Sequence, residues 1–107
     1  MAIPEVTPAE VHRRRQAGAA PVLLDVREPW ELQICAIDWA KAIPMGEVPE
    51  RLAELDRDTE IVVLCHHGGR SLRVAEFLAR QGFGRVANLA GGIHAWREQV
   101  DPGLAAY

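Results

Sequence analysis

Ile61-Val62-Val63-Leu64-Cys65-His66-His67-Gly68-Gly69-Arg70-Ser71 passes from an unbroken apolar run, through a thiol and a glycine pair, to an arginine at the head of an amphipathic stretch. The apolar run is short, β-branched and free of polar alternation, as in a strand covered on both faces. From Gly69 to about Gln81 the period becomes helical. Ser71, Val74, Ala75 and Leu78 form one stripe, widened by Phe77. Gly82 supplies a left-handed stop, and Phe83 can pack back on the last turn. A buried strand that turns at once into a helix is the repeating piece of a parallel sheet.

The same alternation extends outward. Val22-Leu23-Leu24-Asp25-Val26 reads as a second buried strand, and Lys41-Ala42-Ile43 and Arg85-Val86-Ala87-Asn88-Leu89 as two weaker ones. Thr7 N-caps a helix that has Pro8 at its first position and ends at Gly18. Arg15 falls where that helix should turn a core residue inward, so its stem is expected over the core with its head in water. The Arg13-Arg14-Arg15 run reads as a solvated face. Pro29-Trp30-Glu31-Leu32 starts a short helix. Val48, Leu52 and Leu55, at i, i+4 and i+7, mark another, and a last helix covers Ile93 to about Gln99. The order predicts an α/β fold: a small parallel β-sheet flanked by helices on both faces, with ligands at the C-terminal ends of the strands.

At 107 residues the chain reads as one domain, 1–107, in which 101–107 is a C-terminal tail whose Pro102 and Gly103 disfavour a regular element. A 49% hydrophobic and 25% charged composition excludes a disordered chain. The apolar runs fall far short of the ~20 residues a spanning helix needs, so no membrane role is expected. The net charge of −3 supplies no basic field for nucleic acid. Met1-Ala2-Ile3-Pro4-Glu5 lacks the flank and core of a signal peptide. The two cysteines, Cys35 and Cys65, are therefore read as reduced thiols of a cytoplasmic protein.

Cys65 carries the chemistry. It ends the strongest strand and faces the start of the strongest helix. Gly68 and Gly69 permit positive φ, so the backbone N–H groups of His66 through Ser71 can converge into an anion-binding nest. The helix dipole adds partial positive charge there. A thiol so placed has a lowered pKa. Arg70 is expected to add a fixed charge and an anion-binding fork. The unit makes a nucleophilic sulfur and a cradle for the anion attached to it. The competing reading, a buried structural thiol, does not account for the adjoining diglycine and arginine.

Three blocks make the chain resemble a single-domain rhodanese, a sulfurtransferase. They are Leu23-Leu24-Asp25-Val26-Arg27-Glu28 with Trp30-Glu31 and Ile43-Pro44; Cys65 to Ser71 with Ala75, Leu78 and Gly82-Phe83; and Asn88-Leu89-Ala90-Gly91-Gly92-Ile93-His94-Ala95-Trp96. The resemblance implies that the Cys65 thiolate takes the outer sulfur of a donor such as thiosulfate. The persulfide then passes it to cyanide or a thiol, with no metal and no organic cofactor. It implies small sulfur-containing anions or thiols as partners, or a sulfur-donor or sulfur-carrier protein. Four residues separate Cys65 from Arg70, one fewer than in related phosphatases, which suits a sulfur atom better than a phosphate. The alternatives are a sulfur-relay module between proteins, a non-catalytic rhodanese-like binding or regulatory domain, and a phosphatase or arsenate reductase.

The remaining residues read as support. Asp25 and Arg27, at the C-terminal end of a buried strand, resemble the family's structural pair. The side chains of His66 and His67 are read as facing substrate. Gly91-Gly92 resembles the turn that brings the last helix close to the core, with Trp96 packed there and Trp30 and Trp39 packed elsewhere. Cys35-Ala36-Ile37-Asp38-Trp39-Ala40 lacks the histidine and both glycines that the family usually has in this segment. Cys35 is read as a small core thiol rather than a partner that resolves an oxidised Cys65.

Overall fold

A computed structural model describes residues 2–107. Five strands form one parallel sheet in the order β1-β5-β4-β2-β3. They are β1 (Glu5–Val6), β2 (Val22–Asp25), β3 (Lys41–Ala42), β4 (Ile61–Leu64) and β5 (Val86–Leu89). The helices are α1 (Pro8–Gln16), α2 (Pro29–Ile34), α3 (Gly69–Arg80) and α4 (Gly92–Gln99).

The apolar residues of the central strands split between two layers because successive strand residues point to opposite faces. Leu24, Val26, Ile61 and Val63 join Val74, Ala75 and Leu78 of α3 on one side. Leu23, Val62 and Leu64 join Val11 of α1 and Ile93 and Trp96 of α4 on the other. Covering on both faces is why β2 and β4 read as continuous apolar runs. No described helix is long and apolar enough to cross a membrane.

Several local readings hold in detail. The Thr7 hydroxyl accepts the Glu10 N–H at 3.1 Å, with Pro8 opening α1. Gly82 has φ +94°, and the Phe83 N–H returns to the Leu78 carbonyl at 3.0 Å, closing α3. Arg15 differs from its expected pose, since its guanidinium head, rather than only its stem, lies over an aromatic ring, 4.4 Å from the centre of Trp39. Arg13 is exposed and pairs with Glu10, whereas Arg14 is half-buried in an ion pair with Glu60, so the run is not solvated throughout.

Two further expectations are corrected. The sheet has a fifth strand, β1, that the sequence does not announce: it has two residues, between Pro4 and Thr7-Pro8, too few to show a period. The helix expected over Val48, Leu52 and Leu55 is instead two 3₁₀ segments, Met45–Glu47 and Pro49–Glu54, the second kinked at Arg51. Pro49 has no N–H to give the Met45 carbonyl, so the chain uses shorter bonds: Val48 to Met45, Arg51 to Val48 and Leu55 to Leu52.

Candidate active site

The register Asp25↔Leu64 brings the ends of β2 and β4 level, so Cys65 emerges beside Val26 at the C-terminal edge of the sheet. The next residues form a tight loop. Gly68 sits at φ +115°, which only glycine adopts without strain, and α3 begins at Gly69. Positive φ is therefore needed once in the glycine pair rather than twice, since Gly69 is already helical. The Gly68 N–H points at Cys65 Sγ (3.1 Å), and Ser71 Oγ lies 3.3 Å from the same sulfur. Burial pushes the Cys65 thiol pKa up. The Ser71 hydroxyl and the backbone N–H groups of Ser71, Gly68 and His67 outweigh that and hold it below its ordinary value.

The loop's carbonyls are held by α4. Cys65 O accepts the Ile93 N–H at 2.8 Å and His66 O accepts the His94 N–H at 3.2 Å. This contact depends on Gly92, where a Cβ would overlap both carbonyl oxygens and where φ is +62°. With carbonyls turned to α4, the amides are left facing the sulfur.

The side chains around the loop form a chain of paired charges. Arg70 donates to both oxygens of the buried Glu31, at 2.7 and 2.9 Å. The anion-binding fork expected of Arg70 is thus occupied: its charge reaches the thiol as one half of an ion pair. Arg27, fully buried, donates to Asp25 at 2.7 and 2.9 Å, to Cys35 O at 3.0 Å and to the Tyr107 hydroxyl at 3.1 Å. The Tyr107 hydroxyl in turn donates to Glu31 at 2.6 Å, linking the two ion pairs. Hydrogen bonds from Arg70 pull Glu31 down to about 2; burial opposes them and Tyr107 assists. Burial, the largest influence, and the nearby Glu31 raise Tyr107 to about 12, although Arg27 opposes them, so it stays a neutral phenol.

The histidines are stacked rather than free. The His66 ring lies between His67 (4.0 Å) and Tyr107 (3.9 Å, 11° between planes), and His67 is 5.3 Å from His94. Burial, then the neighbouring His67, lowers the His66 pKa, which keeps it neutral near pH 7. Trp96 is buried, with Trp39 edge-on at 6.2 Å. Trp30 is not packed as expected: it is 60% exposed and touches Tyr107 only edge-on. Helix α2 presents that face outward because it buries Glu31 instead. Cys35 belongs to the layer of α1 and α4, away from the layer that holds Cys65, and has the Arg27 guanidinium 3.8 Å from its sulfur.

Three residues of this arrangement escape the sequence reading. Glu31 stands in the first of the three sequence blocks without a role of its own; the structure shows that it also caps α2, accepting the Glu28 N–H at 3.0 Å. Asn88 is the one polar residue of β5, buried among Val86, Ala87 and Leu89, and that contrast is a usable signal. Tyr107 lies in the segment read as a tail and leaves no signal.

Residues 7–99 match the family described as "Rhodanese-like domain". The chain belongs to that family. This rhodanese-like domain is 41% identical over 93 residues to a protein of Allochromatium vinosum named "Sulfurtransferase", covering 86% of this chain and 87% of that one. It is 34% identical over 92 residues to the "Thiosulfate sulfurtransferase GlpE" of Stutzerimonas stutzeri, covering 86% and 83%. The crystal structure of a rhodanese-like domain protein from Staphylococcus aureus superposes with a TM-score of 0.85 at 30% identity, over 98% of this chain and 99% of that one. The fold and family implied by the three sequence blocks are therefore those of the molecule.

Proposed function

We propose that residues 1–107 act as one rhodanese unit that transfers sulfane sulfur through Cys65. The observation that supports this best is the pair of donors on Cys65 Sγ, the Gly68 N–H and the Ser71 hydroxyl, at the start of α3. They favour a sulfur anion over a neutral thiol. In the first half-reaction the Cys65 thiolate attacks the outer sulfur of a donor such as thiosulfate. The new S–S bond forms as the old one breaks, and sulfite leaves with the electron pair. In the second, cyanide or a thiolate attacks the outer sulfur of the persulfide and regenerates the Cys65 thiolate. Both steps are redox-neutral overall and use no cofactor. His66 to Ser71 form the cradle, while Asp25 and Arg27 anchor the neighbouring strand end. A reducing compartment such as the cytoplasm keeps both thiols free.

A second reading, a relay from a protein donor to a protein acceptor, is favoured by the exposed Trp30 next to Tyr107 and the stacked histidines. An apolar ring at the rim of a site suits contact with a macromolecule.

Intact mass spectrometry after thiosulfate treatment tests the central claim. The expected result is a gain of one sulfur that is kept in Cys35→Ser and lost in Cys65→Ser, together with all thiosulfate:cyanide transfer. Sulfur retained in Cys65→Ser would overturn it. Loading by a cysteine desulfurase but not by thiosulfate would select the relay.

A further inference from the structure

Ser71 has one hydroxyl proton and two acceptors that compete for it. Its Oγ lies 2.6 Å from Asn88 Oδ1 and 3.3 Å from Cys65 Sγ. The Asn88 amide has a determined orientation. Its Nδ2 donates to Glu5 Oε2 at 2.9 Å and to Gly68 O at 3.1 Å, and both are acceptors only. Oδ1 is therefore the atom that faces Ser71. Ser71 and Asn88 are both buried, so bulk water does not replace a partner that either one loses.

We propose that Asn88 is a positioning residue that holds the Ser71 hydroxyl in reserve, taking its proton while Cys65 is a thiol and yielding it when Cys65 becomes a thiolate. The inference rests on Cys65 as the sulfur-transfer nucleophile. In the thiol, S–H donates to Ser71 Oγ and the Ser71 O–H donates to Asn88 Oδ1. When water takes the Sγ proton, the Ser71 O–H turns to Sγ and Asn88 Oδ1 loses its bond. When a sulfane sulfur is added, the negative charge moves to the outer sulfur and the Ser71 proton returns to Asn88. Ser71 thus favours ionisation of Cys65, and Asn88, its immediate neighbour, opposes it.

The charged and titratable groups around the thiol are Arg70 of α3 with its partner Glu31 of α2, His66 and His67 of the loop, His94 of α4, and Glu5 of β1 behind Asn88. The variants that test the proposal leave all of them in place, and Glu5 is exposed to water.

The experiment is the pH profile of Cys65 alkylation by iodoacetamide, read on the Cys65 peptide by mass spectrometry. Ser71→Ala moves the midpoint up by about one pH unit, the size of one hydrogen bond to an anion. Asn88→Leu moves it down, and that downward shift disappears when Ser71→Ala is also present. An upward or zero shift in Asn88→Leu overturns the proposal. So does a shift of equal size with and without Ser71→Ala, which is what a merely structural role would give. If Asn88→Leu does not fold, Asn88→Asp replaces it. Its carboxylate holds the Ser71 proton more firmly, so the midpoint rises further with Ser71 present than in the Ser71→Ala background; equal rises overturn the proposal. Sulfur loading of the wild type from thiosulfate and from a cysteine desulfurase is measured alongside. A wild type that loads from neither while the shifts hold counts against sulfur transfer, whereas a wild type that loads while the cycle is additive counts against Asn88 alone.

Discussion

β2 and β4 lie side by side and end level, with Asp25 opposite Leu64, yet the segments beyond their C-terminal ends are built differently. After β4 the groups that face the sulfur come from the short loop and the first turn of α3, and most of them are backbone amides. After β2 the polar groups are ionised side chains that find partners far along the chain: Arg27 with Tyr107, and Glu31 with Arg70 and Tyr107. The chemistry is therefore carried by backbone dipoles, which substitution of a side chain leaves in place, together with one side-chain hydroxyl, that of Ser71. The walls that hold those dipoles in position depend on charges that can be titrated or removed.

Variants on the β2 side test this division, in order of decreasing effect. Arg27→Met leaves Asp25 buried without its partner, and chemical denaturation should show a loss of ~3–5 kcal/mol. The folded fraction should still alkylate Cys65 at the wild-type pH midpoint. A large upward move of that midpoint would break the contrast, because the loop would then owe its electrostatics to the neighbouring strand end.

Glu31→Gln should cost about 1.5–3 kcal/mol, the scale of a hydrogen bond to a charged group. It also changes the acid limb of the stability curve. The folded-state pKa of Glu31, about 2, lies below its ordinary value of 4.5. Its contribution is then fully present above pH 4.5 and is lost as pH falls toward 2. Wild type should lose stability through that window more steeply than Glu31→Gln in acid titrations followed by circular dichroism; identical slopes would count against the pairing. The smallest effect belongs to Tyr107→Phe. The ring stack on His66 survives and only the hydroxyl bridge is lost, so denaturation should show a cost of about 1 kcal/mol.

The same division separates the parts of the molecule that are legible in the sequence from those that are not. The β4 loop and α3 are legible because their determinants are local: an apolar run, Cys65, one glycine at positive φ, and the Gly82 stop. Arg70 misleads because the carboxylate that occupies its fork stands 39 residues earlier. Tyr107 is 76 residues from Glu31, and Asn88 is 83 from Glu5, so neither contact has a trace in any window of sequence. The 3₁₀ segments mislead for a different reason. Val48, Leu52 and Leu55 suggest a helix by spacing, but Pro49 removes the bond that spacing presupposes.

The sheet's outer strands have a consequence for how copies of this protein meet. β1 and β3 have two residues each, and proline or charge sits at both: Pro4 and Glu5 on one edge, Lys41 and Pro44 on the other. A strand that short, lined with such residues, offers almost no free backbone for another chain to extend. The apolar strands Val22–Asp25 and Ile61–Leu64 are kept to the interior of the sheet. Self-association through edge-to-edge pairing is thereby disfavoured.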